Sequence, residues 1–151
     1  MKYLLALATI AGALLIGGVA SAATFEVKML NKGSDGQMMV FEPALLKIQP
    51  GDTVKFVPTD KTHDAKTIPG MLPFGAQPFK GALSQELSVT FQEPGIYGYR
   101  CAPHFGFGMV GLIEVGEHTS NLDGETDQAA AACYEADVWS VRSSFRSLVP
   151  L

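Results

Sequence analysis

Several kinds of residue are scarce in this chain, and each scarcity narrows what it can be. There are two cysteines, three histidines and one tryptophan in 151 residues, and charged residues make up 17%. Two cysteines allow at most one disulfide, so a framework of bridges is excluded as the source of stability. Lys and Arg number 11 against 15 Asp and Glu, a formal charge of −4. Without a basic excess there is no broad phosphate-binding face, which argues against a nucleic-acid partner. No apolar run long enough to span a bilayer follows residue 23, and no internal repeat is visible.

The one long apolar run stands at the start. Lys2 precedes a greasy stretch from Leu4 to Val19, followed by Ala20, Ser21, Ala22 and Ala23. Charge, apolar core and small-residue exit together read as a secretory signal peptide over residues 1–23, cleaved after Ala22 or Ala23. The stretch is short for a membrane span and no stop-transfer cluster follows, so no membrane association is expected of the mature form. Loss of Lys2 leaves the mature protein slightly more acidic. Its remaining length, about 128 residues, suits one domain with one core.

From Thr24 onward the chain reads as short β runs punctuated by Gly, Pro and Asp. Phe25, Val27 and Met29 alternate with Glu26 and Lys28, the period of a half-buried strand. Further runs fall at Met38 to Pro43, Leu45 to Gln49, Thr53 to Val57, Leu87 to Phe91, Gly95 to Arg100 and Met109 to Val115, with a looser stretch from Pro58 to Gly81. About seven strands and little helix predict an all-β domain over residues 24–118, an antiparallel Greek-key β-sandwich. Past Gly116 the text turns polar and then alanine-rich, which predicts a helical C-terminal extension over residues 119–151 that includes Cys133, Trp139 and Phe145.

The chemistry is concentrated in "YRCAPHFGFGMVG". Cys101, His104 and Met109 are spaced Cys-x2-His-x4-Met, and His63 lies 38 residues before the cysteine in "DKTHD". One thiolate, two imidazoles and one thioether are the donors of a blue-copper centre, since sulfur suits the cuprous ion and imidazole serves both valences. Pro103 stiffens the loop, and Gly106 and Gly108 permit its tight return. Zinc accepts thiolate and imidazole but is poorly served by methionine. A Cys101–Cys133 disulfide would consume the thiolate that copper needs. A Cys–His hydrolase with Cys101 as nucleophile lacks an orienting third group and gives Met109 no role, so the chain reads as a carrier and not an enzyme. Copper storage without a redox partner is the alternative.

These residues resemble the pseudoazurins, small periplasmic proteins of the cupredoxin family. The likeness runs from Thr24 to about Asp123 through "EVKMLNKG", "MVFEP", "PGDTVKFVPTDK", "EPGIYGYRC" and "PHFGFGMVGLIEVG". It implies a cupredoxin fold and one copper per chain held by His63, Cys101, His104 and Met109. It also implies a monomer whose electrons pass through the edge of His104 inside an apolar patch of Pro103, Phe105, Gly106, Phe107, Pro58 and Met39. Lys32, Lys61, Lys80 and Arg100 would ring that patch and dock an acidic redox partner, a copper nitrite reductase or a c-type cytochrome, in denitrification.

Three departures carry expectations of their own. The resemblance implies Asn after the first histidine and Thr after the cysteine, linking the ligand loops, where this chain has Asp64 and Ala102. A lost link predicts a looser site, and a nearby carboxylate predicts a lower reduction potential than in relatives. Phe107 replaces a methionine and enlarges the apolar face. The tail after residue 119 shares little with the lysine-rich helices of the family.

Overall fold

Alternation sets the first strand, β1 (Thr24–Lys32), where Val27 and Met29 are buried and Glu26 and Lys28 exposed. The computed structural model describes residues 21–116. All but the last three residues of the expected leader, the expected helical extension over 119–151 and Cys133 lie outside the described residues.

After β1 come β2 (Met38–Glu42), β3 (Leu45–Ile48), β4 (Thr53–Pro58), β5 (Lys66–Thr67), β6 (Leu87–Thr90), β7 (Gly95–Arg100) and β8 (Val110–Val115). They form two four-stranded sheets, ordered β2-β1-β4-β6 and β3-β8-β7-β5. The two-sheet, all-β expectation holds. Its purely antiparallel form does not, because β1 pairs β4 in parallel from Thr24↔Thr53 to Met29↔Pro58, and β3 pairs β8 in parallel from Leu45↔Leu112. The chain changes sheet after β2 and again after β3, so it arrives beside strands to which no hairpin ties it, and direction is then free. Strand β5 escapes sequence reading because two residues carry no period.

β7 does not alternate. All of Gly95 to Tyr99 is buried, since the strand is covered on both faces. Tyr97, Tyr99 and then Cys101 point into the main core between the sheets, with Phe41, Phe56, Phe79, Phe91 and Ile113. The opposite face, with Ile96 and the neighbouring Leu112, is sealed by Met71 from the loop after β5. Gly98 is what lets Met71 lie there, because a Cβ on it would come within 2.4 Å of the Met71 Cε.

Tyr99 is the hub of the aromatic core. Its ring meets Phe41 edge-on at 4.8 Å and Phe56 at 5.1 Å between centroids. A Cβ at Gly111 would sit 2.3 Å from its hydroxyl, so glycine on β8 makes room for this phenol. The hydroxyl is buried and takes no hydrogen bond from any described residue, and burial pushes its ionisation far above the usual tyrosine range.

Three polar or charged residues are buried among the described ones: Asp52, His63 and Asp64. The last two are neighbours at one end of the sandwich.

The Tyr99 packing predicts two opposite outcomes in urea unfolding. Tyr99→Phe removes an unpartnered buried hydroxyl and should stabilise the fold by about 1 kcal/mol. Gly111→Ala forces atoms into an occupied space and should destabilise it by about 2 kcal/mol or more.

Candidate metal centre

Cys101 stands one step beyond β7 and keeps the inward phase of Tyr97 and Tyr99, which is why its thiol is fully buried. It is a free cysteine among the described residues, and Cys133, the other half of the disulfide reading, lies outside them. Beyond it the chain turns through a 3-10 segment, Phe105–Phe107, ended by Gly108 at φ 86. The Cys101 N–H donates to the Met109 carbonyl at 3.0 Å, and the Met109 N–H donates to the His104 carbonyl at 3.2 Å. Three of the sequence-predicted ligands are thus tied by backbone bonds in one short loop. Gly108 needs its left-handed backbone, whereas Gly106 faces open space and has no such need.

His63 comes from the other side, in the segment between β4 and β5. Its predecessor Thr62 has φ 75, a costly conformation for a β-branched residue. Ser84 holds it there. The Thr62 N–H donates to the Ser84 hydroxyl at 2.8 Å, and the Ser84 N–H donates to the His63 carbonyl at 2.7 Å. Asn31, at the end of β1, bonds the His63 Nε2 through its Oδ1 at 3.0 Å. That partner assigns the proton to Nε2 and leaves the Nδ1 lone pair free. Neither Ser84 nor Asn31 has a sequence signal, since each lies more than 20 residues from the histidine it serves.

The donor atoms converge. His63 Nδ1 lies 3.7 Å from the Cys101 sulfur, His104 Nδ1 lies 3.5 Å from it, and the two nitrogens are 3.1 Å apart. The point equidistant from all three is about 2 Å from each, the length of a metal–nitrogen bond. Met109, fully buried in the same cluster as Cys101, completes the set. The residues therefore fit a type 1 copper ion.

Burial, and after it the neighbouring His104, lowers the pKa of His63 and keeps the imidazole neutral, as a ligand must be. Burial likewise raises the Cys101 thiol. The backbone N–H groups of Asp64 and His104 oppose that rise, and the Asp64 carboxylate adds to it.

The expected loss of the link between ligand loops needs correction. Asp64 Oδ1 accepts the Ala102 N–H at 2.5 Å, so a carboxylate-to-backbone bond does the tying that two side chains were expected to do. The carboxylate is itself nearly buried, at 7% exposure.

Around the site, His104 is half-buried, and the Phe107 ring, 76% exposed, lies 6.2 Å from it. Pro103 is exposed, while Met39, Phe105 and Pro58 are half-buried, and Met38 is more open than Met39. Lys32, Lys61 and Lys80 are exposed and make no ion pair among the described residues. Arg100 differs from them. Its guanidinium lies 4.6 Å from the centre of the Phe105 ring and its Nε is buried, so it grips the ligand loop instead of standing free at the rim.

Residues 27–116 match the family described as copper binding proteins, plastocyanin/azurin family. The chain is 51% identical over 118 residues to a pseudoazurin of Paracoccus pantotrophus, covering 78% of this chain and 81% of that one. It is 49% identical over 122 residues to a pseudoazurin of Methylorubrum extorquens, covering 81% and 82%. A solved pseudoazurin from Sinorhizobium meliloti is similar in fold, with a TM-score of 0.69 at 43% identity, covering 76% of this chain and 93% of that one.

The metal-free protein should be most stable between about pH 6.5 and pH 9. Below that window the unfolded chain gains a proton that buried His63 resists. Above it the unfolded thiol ionises while Cys101 keeps its proton. Urea midpoints across pH check both arms, and His63→Gln should flatten only the acid one.

Asp64 should hold the copper-loaded protein toward the cupric state. Asp64→Asn combined with Ala102→Thr is expected to raise the midpoint potential in a spectroelectrochemical titration, and an unchanged midpoint counts against a role for the carboxylate.

Proposed function

This chain belongs to the copper-binding plastocyanin/azurin family, and within it to the pseudoazurins, and from that premise we propose that it works in the periplasm, delivering electrons to a copper-containing nitrite reductase or exchanging them with c-type cytochromes in denitrification. At the coarser level it is a blue copper electron carrier.

The observation that carries the reading is an asymmetry between the two histidines. His63 is fully buried and bonded to Asn31, whereas His104 is half-buried beside exposed Phe107. Copper held by His63, Cys101, His104 and Met109 supplies a one-electron couple between its cuprous and cupric states. The protein supplies the cage. Asn31 and Ser84 fix the His63 ring and backbone, the backbone bonds of the 101–109 loop fix Cys101 and Met109, and Asp64 ties the two segments together. A cage held from so many sides changes little when its charge changes, which keeps electron transfer fast.

His104 is the exit, because among the three clustered donors it alone reaches solvent. The apolar surface near Phe107 allows a partner to approach its ring edge closely. Exposed Lys32, Lys61 and Lys80 favour an acidic partner and accelerate encounter more than they tighten it. A hydrolytic role is disfavoured by the complete burial of Cys101, whose sulfur no substrate can reach.

The copper-loaded protein should show an intense thiolate-to-copper band near ~600 nm that Cys101→Ser abolishes. Stopped-flow reduction of a copper nitrite reductase by the cuprous protein should slow with added salt, and Lys32→Glu with Lys61→Glu should slow it about tenfold at low salt. A rate indifferent to both would remove the lysines from the docking surface.

A further inference from the structure

Asp52 is a buried carboxylate that the copper site does not use. It is 6% exposed, sits in the turn between β3 and β4, and makes no ion pair with any described cation. Its Oδ2 accepts the Gln49 N–H at 2.7 Å, closing the turn. Its Oδ1 accepts the N–H of Ala23, also at 2.7 Å, from 29 residues away. A buried carboxylate left without a cation is costly, and a protein normally supplies one.

The nitrogen it holds is the one that export would convert into a cation. Ala20, Ser21 and Ala22 form the small-residue exit of the leader, and Ala-x-Ala followed by cleavage places the new terminus at Ala23. The structure separates this from cleavage one residue later. Ala23 is exposed and outside any strand, as Ser21 and Ala22 are, but it is already tied to the fold, since its carbonyl accepts the Thr53 N–H at 2.9 Å and its N–H is taken by Asp52. Removal of Ala23 would discard both bonds and strand Asp52 Oδ1.

We infer that the leader is removed between Ala22 and Ala23 and that the α-ammonium so formed pairs with the Asp52 carboxylate, so that processing completes the fold at the start of β1. The inference rests on the reading of an exported protein. In the cleavage, water attacks the Ala22 carbonyl under the action of an export-pathway protease. The C–N bond breaks, the hydroxyl stays on Ala22 as a new carboxylate, and the Ala23 nitrogen leaves protonated. A hydrogen bond from a neutral amide then becomes a charge-assisted one to the same oxygen.

Two measurements test this. The full chain with its leader is expressed in a bacterium, and the intact mass of the exported protein is read. A species starting at Ala23 is expected, and any other start overturns the inference. In parallel, two copper-loaded forms are made, one starting at Ala23 and one carrying a single glycine before it, each with Asp52 or with Asp52→Asn. The substitution weakens the turn in both forms. It should lower the folding constant about tenfold more in the form starting at Ala23, where the ion pair exists. Equal losses overturn the pairing. The blue colour is recorded for all four proteins. A colour that persists while the coupling is missing strikes only this inference, whereas a colourless set strikes the copper reading itself.

Discussion

Two imidazole nitrogens and a sulfur held within 3.7 Å of one another, with one ring and the sulfur shut off from water, are donors gathered around a single point that a metal ion can fill. In the metal-free protein the Cys101 thiol keeps its proton, and metal binding displaces it. Nothing in a purely apolar core would hold these donors so close. The surrounding structure reads as the means of keeping that cluster in place until a metal occupies its centre. The sandwich supplies one wall through β7, and the His63 segment, clasped by Ser84 and Asn31, supplies the other.

The sequence disclosed the donors and much less of what holds them. Cys101, His104 and Met109 were legible because a single loop carries them at a spacing with chemical meaning. The inward phase of Tyr97, Tyr99 and Cys101 follows from strand periodicity alone. The grips on His63 were not legible, because Asn31 and Ser84 are ordinary polar residues until the fold brings them across 32 and 21 positions. Asp64 is instructive in a different way. Read as a side chain facing another side chain, it seemed to leave the loops unlinked, but a carboxylate is also a good acceptor for a backbone N–H, and residue identity at position 102 is irrelevant to that bond.

The parallel pairings were hidden for a related reason. Alternation tells which face of a strand is buried, and nothing about which strand lies beside it or in what direction. Arg100 shows the limit for surface residues. The family resemblance implied a place on a docking rim, yet the Phe105 ring, four positions beyond the neighbouring Cys101, offers it a nearer partner, and the flat guanidinium takes it.

The double covering of β7 bears on how the metal gets in. A strand packed between the aromatic core on one side and Met71 on the other separates from its neighbours only if both layers part, so its amides should exchange with solvent last. Cys101 is attached to that slowest-opening segment, whereas Pro103, Gly106 and Phe107 lie on the exposed rim. The thiol therefore stands as a fixed post, and the side from which an ion can approach it is the one on which His104 reaches solvent.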